Sequence, residues 1–246
     1  MSDRPGAGRP PESAVLSMAS VDAGYGEVQV LKSLSLRLDE GEIVCLVGPN
    51  GAGKSTVLKT AFGYLDPWSG TVRLHGESIA GLDPPAIVRE GVGYVPQVEN
   101  VFGSLSVEEN LRMGGVARED GLQAAIADLY DRFPVLDEKR SAKARTLSGG
   151  QRQMLAFARA LVMEPAVLLI DEPSAGLAPA AAETAFERVE RVNEAGTAVL
   201  MVEQNARAGL AVSDRGYVLD QGRVRHEGAA ESLLDDPEVA ELYLGG

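Results

Sequence analysis

The stretch Gly48 to Thr56, GPNGAGKST, lies between an apolar run, EIVCLVG, and a segment with helical spacing, GKSTVLKTAFGYL. That placement leaves few folds open. A fully apolar strand is buried on both faces, and a helix starting straight after it must pack back on the sheet, as in parallel α/β domains. The residue types between them suit phosphate. Gly48, Gly51 and Gly53 let the loop bend and bring backbone N–H groups, including those near Pro49, Asn50 and Ala52, close to anionic oxygens. The helix N-terminus adds its dipole. Lys54 supplies a positive charge for the β- and γ-phosphates, and the Ser55 hydroxyl, with Thr56 behind it, can ligate Mg²⁺. The loop predicts a nucleoside triphosphate and says little about the task.

A second apolar run, PAVLLIDEP, delivers Asp171 and Glu172 to its polar end, where open α/β sheets bind ligands. A carboxylate at Asp171 can hold Mg²⁺, directly or through water. Glu172 can polarise an attacking water. A third run, AVLMVEQNARAG, ends abruptly in Glu203, Gln204 and Asn205. These either begin an ordinary loop or face something polar in a cleft.

Around these landmarks, short apolar runs alternate with helical patterns, which predicts an α/β fold with a largely parallel sheet. Residues 14 to 38 read as strands and turns. Residues 98 to 161 carry SVEENLRMG, GLQAAIADLYDRF and GGQRQMLAFARAL, each with helical spacing, and read as a helical subdomain inserted into the sheet domain. In SVEE, Ser106 is the expected N-cap with Glu109 three places on. PAAAETAFERVERVNEAG is an amphipathic helix ended by Gly196. DRGYVLDQGRVRHEG reads as a hairpin, and AAESLLDDPEVAELYLGG as short helices.

Charge narrows the partners. A formal net charge of -13 argues against a nucleic-acid binder and against adhesion to anionic head groups. One cysteine, Cys45, inside an apolar run, fits a reducing compartment and excludes an internal disulfide framework. Residues 1 to 14, rich in Pro, Gly and charge, read as a disordered tail preceding a domain at 15 to 246. No apolar run approaches the roughly 18 residues needed to span a bilayer, so any membrane attachment is expected through another protein.

LSGGQRQMLAFARAL adds a second anion site. Ser148, Gly149 and Gly150 start a long helix whose free N–H groups face outward. One cradle explains one nucleotide, so a second site suggests a nucleotide shared between chains. Here the sequence resembles the ATP-binding subunits of ABC transporters over nearly everything after the tail. The resemblance implies a P-loop NTPase core with a RecA-like, mostly parallel sheet, an N-terminal antiparallel β subdomain and the helical insert. Tyr25 of GYG matches the aromatic that stacks on adenine. Gly48 to Thr56 match the Walker A loop, and Gln97 of YVPQ the glutamine that touches Mg²⁺ and the attacking water. Ser148, Gly149, Gly150 and Gln151 match the helix-start motif. Asp171 matches the Walker B aspartate and Glu172 the catalytic carboxylate. The implied assembly is a head-to-tail dimer with two ATPs, homomeric or with a sister ATP-binding subunit. It would be docked on integral membrane permease subunits at the cytoplasmic face of the cell membrane. FGSLSVEENL, DEPSAGLAP, VEQNA, GYVLDQG and YLGG resemble the ATPase subunits of branched-chain amino-acid importers; those of urea and amide importers are very similar.

Two positions depart from the family pattern. Ala178 in SAGLAP stands where the family has an Asp that helps link the two sites across the dimer. Gln204 stands where a histidine contacts the γ-phosphate. An amide can donate a neutral hydrogen bond to phosphate but carries no charge, and charge-assisted bonds are roughly twice as strong. Gln204 is therefore expected either to serve a weaker site, with a sister subunit carrying histidine, or to sit at the next helix start without phosphate contact. Glu203 and Asn205 are expected to be loop and cap residues, and His75 and His226 surface or turn residues. An ATPase acting on nucleic acid would show basic surfaces or two ATPase units, and this chain has neither.

Overall fold

A computed structural model of the chain describes residues 14–98 and 100–243. Most of the segment read as a tail, and the end of YLGG, lie outside the described residues.

The chain opens with two long strands, β1 (Ala14–Tyr25) and β2 (Val28–Asp39), then β3 (Ile43–Val47) and α1 (Lys54–Ala61). Next come β4 (Ser69–Leu74), β5 (Glu77–Ser78), α2 (Pro84–Arg89) and β6 (Val92–Val95). Four helices follow: α3 (Val107–Gly114), α4 (Leu122–Arg132), α5 (Pro134–Glu138) and α6 (Gly149–Leu161). The sheet resumes with β7 (Val167–Asp171), α7 (Pro179–Glu194), β8 (Ala198–Val202) and α8 (Ala206–Ala211). The hairpin β9 (Arg215–Asp220) and β10 (Arg223–Ala229) leads to α9 (Ala230–Asp235) and α10 (Pro237–Tyr243).

Two sheets form. One is antiparallel, in the order β2-β1-β4-β5; the other runs β10-β9-β3-β8-β7-β6. In the second, β3 pairs in parallel with both β8 and β9, and β7 pairs in parallel with β8 and β6. Only β10 is antiparallel to its neighbour. Strands β3, β7 and β8 are buried along their whole length, so they read as continuous apolar runs rather than alternating ones.

Alternation sorts their side chains between two cores. Ile43, Cys45 and Val47 join Ile170, Val199 and Met201 on the face covered by helices of the insert and of the C-terminal part. Val44 and Leu46 join Leu169, Leu200 and Val202 on the opposite face, against the antiparallel sheet and α1. The parallel sheet is thus a central layer. Its β3, β7 and β8 all end on the same side, and that edge assembles the site.

The helical stretch begins as its caps direct. Ser106 accepts from the Glu109 N–H while Glu109 accepts from the Ser106 N–H. The same reciprocal box opens α6, between Ser148 and Gln151. Each box satisfies two of the backbone donors that a helix start leaves unpaired.

Candidate nucleotide site

The loop from Pro49 to Gly53 turns back over the end of β3. Gly48 and Gly53 have φ of 151° and 107°, conformations side chains rarely adopt, and a Cβ at Gly48 would sit 2.1 Å from the Leu219 carbonyl oxygen. Glycine is therefore dictated at Gly48 both by backbone angle and by the close approach of β9. A Cβ at Gly51 would meet nothing within 4 Å, so the outer rim of the loop is open. The cleft above it, about 390 Å³, is lined by Val30, Asn50, Gly51, Gly53, Lys54, Ser55, Thr56 and Glu172.

Lys54 is only 6% exposed. Its ammonium donates to the carbonyls of Gly48 at 2.7 Å and Pro49 at 3.2 Å, folding the side chain back along the loop. Burial pulls its pKa down, and the Glu172 and Asp171 carboxylates oppose that pull. A buried cation that leans on its own loop's carbonyls is ready to exchange them for phosphate oxygens.

Asp171 ends β7 and is 7% exposed. The Ser55 hydroxyl donates to its Oδ1 at 3.1 Å, and the Tyr94 hydroxyl to its Oδ2 at 3.4 Å. Burial pushes the Asp171 carboxyl up, partly offset by these two bonds. Tyr94, on β6, stacks on Phe62 with centroids 5.0 Å apart, which fixes its ring. Nothing in the sequence singled Tyr94 out, because its role comes from the pairing of β6 with β7.

Glu172 has φ of 48°, an uncommon value outside glycine. Its N–H donates to the Val202 carbonyl at 3.0 Å, so the neighbouring strand holds the strained turn. Its Oε2 accepts from Gln97 Nε2 at 2.7 Å. Sequence positions 97 and 172, far apart in the chain, are thus brought together beside the cleft that Glu172 lines. The Tyr25 ring, 44% exposed at the end of β1, has the Lys59 ammonium of α1 5.8 Å from its centroid. Ser148 and Gln151 bond each other at the start of α6 rather than any cradle residue. Added Cβ atoms at Gly149 or Gly150 would meet nothing within 4 Å, so that helix start is an open surface.

The end of β8 differs from the sequence reading. Asn205 does cap α8, accepting from the Ala208 N–H at 3.2 Å. Gln204 is exposed and lines a separate cleft of about 550 Å³ with Ser174, Ala175, Leu177 and Glu203. Glu203 lies in the loop after β8, as expected, but it is buried there: it is 1% exposed and accepts from the N–H of Ser174 at 2.8 Å, the Ser174 hydroxyl at 2.9 Å and the Asn205 N–H at 3.3 Å. Burial pushes its carboxyl up, and those bonds pull the other way.

The Ser55 hydroxyl beside the Asp171 carboxylate offers hard oxygen donors. Among the described residues no group of three or more His, Cys, Asp or Glu side chains is gathered for a metal. That fits a Mg²⁺ bound chiefly through substrate phosphates and water, with one carboxylate.

A glycine-rich loop between strand and helix, a buried lysine in it, and a carboxylate at the end of the adjacent strand define a P-loop nucleoside triphosphatase. Comparison with known proteins narrows the class. The model of the ABC transporter family matches residues 31–175. The high-affinity branched-chain amino acid transport ATP-binding protein BraG of Pseudomonas aeruginosa is 43% identical over 94% of this chain and 100% of its own length. The probable branched-chain amino acid transport ATP-binding protein LivF of Archaeoglobus fulgidus is 40% identical over 94% of this chain and 99% of its own. A crystal structure of a nucleotide-free ATP-binding cassette from an ABC transporter superposes with a TM-score of 0.84 at 26% identity, covering 95% of this chain and 100% of that one. The chain belongs to the ABC transporter family, as an ATP-binding, ATP-hydrolysing subunit. No helix among the described residues is long and apolar enough to cross a membrane.

Proposed function

We propose that this chain binds and hydrolyses ATP to drive a membrane importer of branched-chain amino acids, working as one of two ATP-binding subunits on permease subunits at the cytoplasmic face of the membrane. The single observation that carries the chemistry is the Gln97–Glu172 bond at the mouth of the phosphate cleft. It supports the reading in which Glu172, held by Gln97 and lining the cleft with Lys54, orients the water that attacks the γ-phosphate. Likeness to BraG and LivF over nearly the full length supports the solute class.

In this reading the loop N–H groups and Lys54 bind and orient the β- and γ-phosphates. Glu172 orients the attacking water and draws its proton; Gln97 holds Glu172 and contacts the same water. Ser55, Asp171 and Gln97 would hold Mg²⁺, which when bound neutralises charge on the β- and γ-oxygens. Tyr25 stacks on the adenine. Ser148, Gly149, Gly150 and Gln151 face the nucleotide of the second subunit, across the open helix start. Closure on ATP and reopening after hydrolysis would move the permease.

The family position of Gln204 supports a more specific version, in which this side chain, lining the neighbouring cleft in the single subunit, reaches the γ-phosphate in the assembled dimer. An amide at the γ-phosphate position makes a neutral bond where an imidazole can carry charge, so this subunit turns over slowly and pairs with a sister subunit that supplies histidine. The test is to purify the chain with branched-chain amino-acid permease subunits and a histidine-bearing sister ATP-binding subunit, reconstitute them, and measure solute-stimulated ATP hydrolysis. Stimulation by leucine, isoleucine or valine is expected. Stimulation by urea or short amides alone would overturn the solute assignment. Fast single-turnover hydrolysis by the isolated chain would overturn the sister-subunit version.

A further inference from the structure

Glu203 is the most deeply buried carboxylate whose role the hydrolytic chemistry leaves unexplained. It lies between Val202, the last residue of β8, and Gln204, and its surroundings are unusual. Among the described residues it makes no ion pair, yet its side chain is withdrawn from water. Burying a carboxylate costs several kcal/mol unless hydrogen bonds compensate. The three donors that compensate come from two loops: Ser174, through N–H and hydroxyl, and Asn205, through N–H. One carboxylate thereby clamps the turn after β7 to the turn after β8.

The clamp continues on both sides. Toward the cradle, Glu172 lies two residues before Ser174, with its N–H on the Val202 carbonyl. Toward the insert, the Pro173 carbonyl accepts from the side-chain amide of Gln153 on α6. Gln153 is itself buried, and its Oε1 has no partner among the described residues, so its amide is committed to this bond. The first turn of α6 carries Gly149 and Gly150, where added Cβ atoms would meet open space. A chain of contacts therefore runs from Glu172, which lines this subunit's own phosphate cleft, through Pro173 and Ser174 to Glu203 on one side and to Gln153 and the open helix start on the other. Ala178, at the far end of the same loop, gives α7 no side-chain cap, so its side chain does not tie the loop down as Glu203 does.

We propose that Glu203 is a positioning residue that couples the two ATP sites of the assembled dimer. It fixes the turn carrying Glu172 against the end of β8 and passes the state of the bound γ-phosphate to α6, which faces the other nucleotide. This rests on the reading of two ATPs shared between two subunits. It gives the chain a link between sites despite the missing aspartate at Ala178.

The test compares wild type, Glu203→Gln and Ser174→Ala, each assembled with the second ATP-binding subunit and the permease, reading the steady-state kcat and Hill coefficient for ATP, the affinity for TNP-ATP, and the melting temperature. Loss of one charge-assisted hydrogen bond in the coupled turn predicts a kcat about tenfold lower. It also predicts a Hill coefficient falling from above 1 to about 1, with TNP-ATP affinity within about twofold of wild type. The double variant should be no slower than the slower single variant, because both substitutions break one link. If Glu203→Gln does not fold, Ser174→Ala carries the test alone, since it leaves the buried carboxylate its two backbone donors. Wild-type kcat and cooperativity in Ser174→Ala, additive losses in the double variant, or a kcat loss that merely follows melting temperature would overturn the coupling role. A non-cooperative wild type would do the same. A wild type that neither binds TNP-ATP nor hydrolyses ATP is a different failure, one that overturns the underlying function.

Discussion

Gln97, two residues past the end of β6, donates its side-chain amide to Oε2 of Glu172, just past the end of β7, across 2.7 Å. Because β6 and β7 pair in parallel with Val95 opposite Ile170, both residues leave the sheet on the same side. The bond fixes the direction of a carboxylate whose backbone is already held at positive φ.

Replacing Gln97 by Ala frees that carboxylate without touching the cradle. General-base alignment is worth about 10²–10⁴ in rate, and an indirect loss should fall at the lower end. We expect kcat to drop about 10²-fold with the affinity for ATP nearly unchanged, measured by steady-state hydrolysis alongside equilibrium nucleotide binding. A rise in KM at constant kcat would mean that Gln97 serves binding.

Gly209, on α8, shows how tightly the helix seats on the sheet. A Cβ there would lie 2.8 Å from Cys45 Sγ and 3.0 Å from Glu203 Cβ. Overpacking of this kind costs about 1–3 kcal/mol. Gly209→Ala should lower stability to urea by that amount, and an unchanged midpoint would show that α8 can shift freely.

Cys45 is wholly buried, and burial, followed by the nearby Glu203, pushes its thiol well up. The thiolate is the reactive form. Labelling of the native chain by a disulfide reagent at neutral pH should therefore proceed only through unfolding, its rate rising with urea. Rapid stoichiometric labelling in buffer would contradict the packing of β3.

Burial raises the Glu203 carboxyl above its ordinary value, which sets the sign of a pH effect. Between the unfolded pKa, about 4.3, and the raised folded value, the native state keeps a proton that the unfolded chain releases. The contribution of Glu203 to stability is thus fullest below the unfolded value and is lost as pH rises through the folded one. Glu203→Gln removes this dependence. Urea melts across that window should show the variant gaining on wild type as pH rises; a gain as pH falls would reverse the assignment.

The cradle, the Ser106 cap and the paired acidic residues were legible because each depends on neighbours within a few positions. GPNGAGKST requires only its flanking strand and helix, and Ser106–Glu109 closes on itself, whereas Ser148 and Gln151, read as an outward-facing helix start, also cap each other. Tyr94 and Glu203 were not legible as site residues. Their settings come from strand pairing, which brings β6 beside β7 and β7 beside β8 across long stretches of sequence. Glu203 reads locally as the start of a loop because it follows an apolar strand. What buries it is Ser174, 29 residues away in the chain, turning to meet it.

The central claim is that Glu172 activates the water that cleaves ATP between two ATP-binding subunits. The direct measurement is hydrolysis and oligomeric state of Glu172→Gln in Mg-ATP, read by phosphate release and size-exclusion chromatography with light scattering. The account predicts phosphate release reduced by at least about 10²-fold and a stable dimer that retains ATP. Hydrolysis at the wild-type rate by Glu172→Gln would contradict it.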